Sequence, residues 1–296
     1  MENEQYFSVE VKQYIPGDER KVYRPASLNN PKDESVMFIM DKYMSLADAL
    51  LECKNCLVFW PKSVLVPEKY KERHAICQVS DTHNAFAKFF TENNITNLPE
   101  KDEYNIINGA FIAKTAKIGK HCAIFPGAYI GGNVVIGNNV YIGAGVKLIG
   151  NIRVGNNVVI RENTVIGADG LTTDRGMDGK ALTIPQFGGV VLEDDVQIGA
   201  LTVIARGAID NTIIKKGVKI DNSCFISHNV IIEDDSFIVG ETIMFGSSSL
   251  GRQAFISGNA TIRDGRHVGA YAKVGMGAVV TKNVENGTVV KGNPAR

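Results

Sequence analysis

An aliphatic residue recurs at every sixth position over most of the chain beyond residue 110. The series begins at Ile112, breaks off twice, and ends at Val280. Its 25 members are Ile112, Ile118, Ile124, Ile130, Ile136, Ile142, Leu148, Val154, Ile160, Ile166, Leu192, Ile198, Ile204, Ile214, Ile220, Ile226, Ile232, Ile238, Met244, Leu250, Ile256, Ile262, Val268, Val274 and Val280. A period of six fits neither an α-helix, which repeats about every 3.6 residues, nor a lone strand.

The repeat predicts a β-solenoid with three short, flat walls in each turn, so that three hexads make one coil. Each wall contributes one aliphatic side chain to a narrow interior, and Gly often follows it, as in Ile136-Gly137. We expect these glycines to relieve crowding and to allow positive φ. The 25 hexads give about eight coils, stacked roughly 4.8 Å apart over about 35–40 Å. A β-sandwich is disfavoured because its spacings vary from strand to strand.

Two breaks interrupt the repeat. Residues 167–189 are polar and Gly-rich, and we expect them to form an excursion loop thrown out of the solenoid. Long excursions from a rigid scaffold tend to be functional. The second break, near 205–213, is shorter and shifts the phase by four residues.

Residues 1–105 lack the six-residue period and predict a small α/β domain ahead of the solenoid at 106–296. The boundary is expected near 100–108, after a polar, linker-like stretch. Apolar patterning predicts helices over 45–56, with Ser45 as N-cap, and over 84–94, and strands over 57–60 and 63–67.

Composition disfavours several classes of protein. Apolar residues make up 44% and charged residues 22%, as in a soluble globular protein. The 32 basic residues balance 32 acidic ones, which argues against binding to nucleic acid or to an anionic membrane surface. No apolar run is long enough for a membrane span, and the N-terminus does not read as a secretory signal. We therefore expect a cytoplasmic protein.

The cysteines and histidines do not form a metal motif in the sequence. Cys53 and Cys56 form a CxxC, but no second pair completes a zinc ribbon. Two cysteines at a helix–strand junction are the favoured interpretation, with a redox site as the alternative. His228 and His267 are separated by two coils and three further positions, so they need not stack. We expect no metal.

His228 is the strongest candidate for chemistry. It follows the inward Ile226 by two residues, so its side chain should lie outside the prism. The residue three hexads later, one coil above, is Gly246. An imidazole beside an accessible glycine N–H supplies a general base and an oxyanion donor for acyl transfer. Asp221, seven residues upstream, is expected to reach around one corner and orient the ring.

At these residues the chain resembles the UDP-3-O-(3-hydroxyacyl)glucosamine N-acyltransferases of lipid A biosynthesis. The matching elements are GADG before the excursion, the IPQ-x-G exit, RGAIDNT, and I-D-N-x5-H-N-V. The resemblance is strong over 160–282 and weak in the N-terminal domain. It implies a left-handed parallel β-helix, a homotrimer and active sites between subunits. It also implies His228 as base, Asp221 as its partner and the Gly246 N–H as oxyanion donor.

The resemblance further implies a substrate site for a nucleotide-linked amino sugar. The uridine-binding motif of the family, F-x-x-N-P-K, corresponds to residues 27–32, so that Asn30 and Lys32 carry over. Ser27 replaces the aromatic residue, and Tyr43 is a candidate to take its place. Asn229, beside His228, is a further substrate-binding candidate.

Two departures from the family remain open. At its second histidine position Gly265 stands in this chain, and His267, which is merely nearby, is the substrate-binding candidate that could replace it. The ending GNPAR resembles coenzyme A-dependent acetyltransferases, so either the chain is truncated or it uses a short acyl-CoA.

The sequence thus predicts an N-acyltransferase that uses acyl-CoA or an acyl carrier protein as co-substrate and binds no cofactor. An O-acetyltransferase acting on a sugar hydroxyl and a non-catalytic β-helix that binds a nucleotide sugar are the alternatives.

Overall fold

The computed structural model describes residues 5–98, 101–176 and 178–296. They form two compact units. The first unit holds the described residues up to Leu98 together with Leu171–Phe187, and the second holds those from Lys101 to Gly170 together with Gly188–Arg296. Among these residues, no helix is both long enough and apolar enough to cross a membrane.

Three mostly parallel sheets form the walls of the second unit. The first wall contains Ala123–Ile124, Tyr141–Ile142, Val159–Ile160, Gln197–Ile198, Lys219–Ile220, Phe237–Ile238, Phe255–Ile256, Lys273–Val274 and Val289–Val290. The second wall contains Tyr104–Ile107, Ala110–Ala113, Tyr129–Ile130, Lys147–Leu148, Val165–Ala168, Val203–Ala205, Phe225–Ile226, Ile243–Met244, Thr261–Ile262 and Val279–Val280. The third wall contains Lys117–Ile118, Val134–Ile136, Ile152–Val154, Val190–Leu192, Thr212–Ile214, Ile231–Ile232, Ser249–Leu250 and His267–Val268.

The strand register confirms the predicted coil of three hexads. Ile142 pairs with Ile160, three hexads on, and the same offset recurs along the walls up to the last coil, where Val274 pairs with Val290, two residues short of three hexads. Across the first break, Ile160 pairs with Ile198. Across the second, Ile198 pairs with Ile220. Each break therefore lengthens a single coil and leaves the stacking of the walls intact.

The hexad residues build the core of the second unit. All but two of the 25 are buried. The exceptions are Ile124, which is half-buried, and Ile118, which is 37% exposed. Both lie in strands at the end of a sheet, where no coil precedes them. Buried polar residues at other inward positions are satisfied by the backbone; for example, Thr164 Oγ1 donates to Gly199 O.

The glycines that follow the aliphatic residues serve close packing rather than a left-handed turn. A Cβ on Gly137 would lie 2.6 Å from Gly155 O, in the coil above. The positive φ of the corner belongs instead to Asn139, at 57°. Asn and Asp tolerate this conformation better than most residues, since their short polar side chains bond locally. The expectation that the glycines supply the positive φ was therefore wrong at this position.

The first unit is a small α/β fold. Its strands are Val9–Glu10, Lys21–Val22, Arg24–Pro25, Ser35–Phe38, Leu57–Pro61, Ala75–Val79, Thr173–Arg175 and Ala181–Thr183. The four strands from Arg24–Pro25 to Ala75–Val79 form one parallel sheet in chain order. Its helices are 3₁₀ over Val11–Gln13 and Asp41–Glu52, and α over Glu68–Lys71 and Thr82–Glu92.

The sequence predicted this unit unevenly. The strand at 57–60 and the helix at 84–94 are confirmed, the latter starting at Thr82 with Asp81 as N-cap. The strand at 63–67 was wrong, because Val64 N–H closes a turn onto Pro61 and the Val64 carbonyl accepts from Trp60 Nε1. Ser45 is not an N-cap, because that helix begins at Asp41.

Most of the excursion does not belong to the solenoid unit, although the predicted domain 106–296 included it. Leu171–Phe187 belongs to the first unit. Its antiparallel hairpin, Thr173–Arg175 with Ala181–Thr183, packs on helix Thr82–Glu92. His83 Nδ1 lies 2.7 Å from Asp174 Oδ2, and Asn84 Nδ2 donates to Arg175 O. Residues 99–100 of the expected linker and residue 177 of the excursion lie outside the described residues.

Two adjacent valines test the inward–outward alternation in strand Val134–Ile136. Val134 is fully buried and Val135 is 37% exposed. We expect Val134→Ala to lower the free energy of unfolding by about 1.5–3 kcal/mol, because it removes buried methyl groups. Val135→Ala is the matched control and should cost less than about 0.5 kcal/mol. Urea unfolding followed by circular dichroism measures both, and equal losses would contradict the assigned orientation.

Candidate active site

One corner of the prism, between the second and third walls, carries every irregularity of the solenoid. Both insertions leave the solenoid at this corner, one after strand Val165–Ala168 and the other after strand Val203–Ala205. His228 occupies the same corner in the next coil, after strand Phe225–Ile226. Because coils stack at a fixed register, both insertions reach the surface on the side of His228 that faces the chain's N-terminus.

The imidazole of His228 lies between two glycines. A Cβ on Gly246 would fall 2.5 Å from both Cε1 and Nε2 of His228. A Cβ on Gly170, at the start of the excursion, would fall 2.9 Å from Cβ and Cδ2 of the same histidine. Only residues without side chains leave room for the ring at these two positions. The expected neighbourhood of His228 and Gly246 is confirmed, and Gly170 joins it.

The Asn229 amide sets the tautomer of His228. Asn229 Nδ2 donates to Asp210 O, and Asn229 Oδ1 accepts from Ala208 N–H at 3.0 Å, which fixes the orientation of the amide. His228 Nδ1 lies 3.1 Å from that same Oδ1. An amide oxygen only accepts, so Nδ1 carries the proton of the neutral imidazole and Nε2 keeps its lone pair. Nε2 is therefore the basic atom, and it faces Gly246.

Gly246 offers a donor beside that lone pair. Ser247 N–H donates to His228 O, which fixes Gly246 one coil above the histidine. Gly246 is buried, and its own N–H finds no acceptor among the residues that the structure describes. Buried backbone N–H groups are nearly always paired, so an unpaired one suits a ligand oxygen.

Asp221 does not contact His228 within the chain. Its carboxylate accepts from Asn222 N–H and from Gly240 N–H, at 2.8 and 3.0 Å. It lies in a shallow groove on the first wall, lined also by Arg161 and Phe237. Each hexad spans one wall, so a residue seven positions upstream sits at the preceding corner. The expectation that Asp221 reaches around that corner is corrected: Asn229 is the ring's partner here.

The other candidate residues lie apart from His228 or have different contacts. His267 is exposed on the third wall, with Nδ1 2.9 Å from Ser249 Oγ. Asn229 was expected to bind substrate, but its amide is engaged by two backbone groups and by His228. In the first unit, Asn30 is exposed and Lys32 half-buried on the turn that follows Arg24–Pro25, and Tyr43 is 44% exposed.

An ion pair below His228 escaped the sequence analysis. Arg206 is almost completely buried, and its Nε donates to Asp169 Oδ1 at 2.6 Å. Its backbone N–H donates to Ala168 O. The pair joins the starts of the two insertions, next to Gly170. Asp169 and Arg206 lie in the GADG and RGAIDNT elements, so the motifs marked both residues without indicating that they pair.

Comparisons with known proteins agree with this architecture. A family model described as bacterial transferase hexapeptide (six repeats) matches residues 115–150 and 136–168. A UDP-N-acetylglucosamine acyltransferase structure from Bacteroides fragilis matches with a TM-score of 0.58 and 26% identity, covering 65% of this chain and 73% of that one. The corresponding Campylobacter jejuni structure gives 0.58 and 20%, covering 64% and 73%. These matches confirm the left-handed parallel β-helix.

Curated relatives are similar over shorter segments. A UDP-3-O-acylglucosamine N-acyltransferase of Francisella tularensis is 52% identical over 79 residues, which are 27% of this chain and 23% of the relative. One from Campylobacter lari is 37% identical over 130 residues, 44% of this chain and 41% of the relative. The chain therefore matches less than half the length of each of these relatives.

Gly246→Ala tests the packing around the imidazole. The added Cβ cannot coexist with the ring as placed, so we expect His228 to move and to lose its bond to Asn229. Long-range ¹H–¹⁵N NMR of the histidine side chains should show the Nδ1–H tautomer in the parent chain and its loss in the variant. Gly258→Ala, at the equivalent position of another corner, meets only Gly240 O at 3.3 Å and Val239 Cγ1 at 3.6 Å. It should leave the His228 signals unchanged, and unchanged signals in Gly246→Ala would contradict the packing.

Proposed function

We propose that the chain is an N-acyltransferase that moves an acyl group from a thioester to the amine of a nucleotide-linked amino sugar of the UDP-3-O-acylglucosamine type. The observation that carries the proposal is His228, with its basic Nε2 turned to an unpaired, buried Gly246 N–H. The names of the relatives supply the substrate class.

The site has the parts that the reaction needs. The sugar amine attacks the thioester carbonyl, a C–N bond forms, and the amine proton passes to His228 Nε2. The carbonyl electrons move to oxygen, where the Gly246 N–H stabilises the oxyanion. The C–S bond then breaks, and the departing thiolate recovers the proton from the imidazolium. Proton transfer is worth about 10²–10⁴-fold and one oxyanion donor about 10²–10³-fold.

Asn229 is the positioning residue in this scheme. Its amide holds the histidine in the tautomer that presents a lone pair at Nε2, and the backbone of the second insertion holds the amide. In the first unit, Asn30 and Lys32 are proposed to bind the nucleotide, with Tyr43 as the candidate ring for the base. The acyl donor is proposed to be acyl-CoA or acyl carrier protein. Because both acyl-CoA and acyl carrier protein occur in the cytoplasm, we propose a cytoplasmic location.

Acyl transfer to a sugar hydroxyl is the second candidate. The Bacteroides fragilis structure that shares the fold is named for UDP-N-acetylglucosamine, whose nitrogen is already acylated. Such an acceptor offers only hydroxyl groups to the same base. The two candidates differ in the product, an amide or an ester.

The test is an assay of the purified chain with two acceptors, UDP-3-O-acylglucosamine and UDP-N-acetylglucosamine, each with acyl-CoA and with acyl carrier protein. We expect an amide product from the first acceptor, identified by mass spectrometry: hydroxylamine should remove only the ester that the acceptor already carried, and the newly transferred acyl group should stay on the sugar. His228→Ala should lower kcat by at least about 10²-fold, because it removes the base. Its thermal unfolding should be nearly unchanged, since the ring is not part of the core.

His121→Asn is the matched control for the loss of an imidazole. His121 is an exposed turn residue of the same unit with a φ of 58°, which Asn tolerates. It should retain full turnover. Near-normal turnover in His228→Ala would refute the base, and loss of the newly transferred acyl group to hydroxylamine would favour the second candidate.

We also propose a homotrimer. Large apolar side chains remain exposed on the solenoid, including Phe225, Phe237, Phe245 and Phe255, each 37–49% exposed. A single prism cannot cover three flat walls, and a second and third copy around a three-fold axis would cover some of this surface. Active-site clefts between subunits would follow from that arrangement.

Multi-angle light scattering at micromolar concentration tests the assembly. We expect a mass three times the 32.1 kDa of the chain. A monomer at this concentration would contradict both the trimer and a substrate cleft between subunits.

A further inference from the structure

Three buried side chains of the first unit converge on one another. Cys53 and Cys56 are 1% and 0% exposed, and His74 is 1% exposed. Their ligand atoms all lie within 4.8 Å of one another, and neither cysteine is in a disulfide. The CxxC by itself gave no metal motif; the fold adds a histidine to it.

The sheet register makes this convergence a fixed feature of the fold. Leu57 pairs with Ala75 across the parallel strands Leu57–Pro61 and Ala75–Val79, and Ala75 N–H donates to Cys56 O. The residues just before these strands, Cys56 and His74, are therefore side by side. Asn55 takes a positive φ of 58°, and its N–H donates to Arg73 O. This tight turn lets Cys53 come back alongside Cys56.

The sulfur separation matches a shared tetrahedral ion. Cys53 Sγ and Cys56 Sγ are 3.6 Å apart. Two thiolates on a tetrahedral zinc, each at about 2.3 Å, are about 3.8 Å apart. Two soft sulfur ligands with one imidazole favour Zn²⁺ over the oxygen-seeking Mg²⁺ and Ca²⁺. The cluster therefore has both the spacing and the donor chemistry of a zinc site.

The histidine is oriented as a metal ligand is. His74 Nε2 lies 2.8 Å from Leu50 O, and a carbonyl can only accept, so Nε2 carries a proton. Metal-ligating histidines commonly donate their second N–H to a backbone carbonyl in this way. The other nitrogen, Nδ1, accepts a hydrogen bond from the Cys56 backbone N–H, with the two nitrogens 3.3 Å apart, and a bound ion would take this lone pair in place of that N–H.

We propose that Cys53, Cys56 and His74 bind one zinc ion that fastens three segments of the first unit. The fourth tetrahedral position falls to an oxygen. Lys32 O lies 3.2 Å from Cys56 Sγ and Ser35 Oγ lies 3.4 Å from it, so a backbone oxygen, a hydroxyl or a water can take that place. With all three side chains buried, the ion has a structural role, independent of the proposed acyl transfer.

The test measures metal on the full chain, purified without a histidine tag and under reducing conditions from zinc-supplemented medium. Inductively coupled plasma mass spectrometry should find about one zinc per chain. Cys53→Ser, Cys56→Ser and His74→Gln should each lose most of it. Cys77→Ser is the matched control, since this half-buried thiol on the neighbouring strand lies outside the cluster, and it should retain the zinc.

A second measurement needs no variant. Co²⁺ added to the chelator-treated parent chain should give the near-ultraviolet thiolate-to-cobalt charge-transfer band and the intense visible bands of a tetrahedral ion, and Zn²⁺ should abolish both. No zinc in the purified chain together with no such spectrum overturns the proposal. Zinc retained by Cys56→Ser also overturns it. The proposal would also be overturned, in favour of a redox disulfide, by an intact mass two hydrogens below that of the fully reduced chain, with Cys53 and Cys56 unreactive toward an alkylating reagent.

Discussion

Backbone hydrogen bonding between coils at a fixed offset of three hexads is the constraint on which the solenoid depends. It requires every coil to enclose the same narrow interior, which the hexad aliphatic residues fill together with small residues at other inward positions, such as Val140 and Ala260. Nothing in that interior is free for chemistry, so functional groups must lie on the outer walls or at the corners. It also explains why both insertions leave at a corner: extra residues within a wall would break the pairing of every strand in contact with it.

The candidate site follows from the same stacking. One coil supplies His228 and Asn229, the coil above supplies Gly246, and the coils below supply Gly170 and the pair Asp169–Arg206. The imidazole is held by a neutral amide and by the absence of two side chains. The position of the imidazole is thus set by the backbone of the stacked coils, and the rigid parallel sheets already hold that backbone in place.

The sequence predicted those features that depend on the period. A constant spacing gave the walls, the coil length and the neighbourhood of His228 and Gly246. The spacing failed to predict contacts that depend on which corner of the coil a residue occupies: Asp221 is close to His228 in sequence but lies at another corner. Asn229 was recognised by motif, yet its role required the backbone partners of its amide. The cluster of Cys53, Cys56 and His74 depends on the strand register of an aperiodic domain, for which the sequence holds no comparable signal. The hairpin of the excursion could not be assigned to its unit, because only its packing on helix Thr82–Glu92 decides that.

The three-hexad offset between paired strands also determines which changes in chain length the solenoid tolerates, much as a reading frame does. A duplication of three hexads would add one complete coil and leave the order of side chains on each wall intact. Extra residues that are out of frame are looped out, as in both insertions at the His228 corner, whereas the last coil is two residues shorter and still pairs Val274 with Val290. Such a scaffold can therefore lengthen by whole coils without disturbing its catalytic corner, while new loops accumulate only where the frame is already broken.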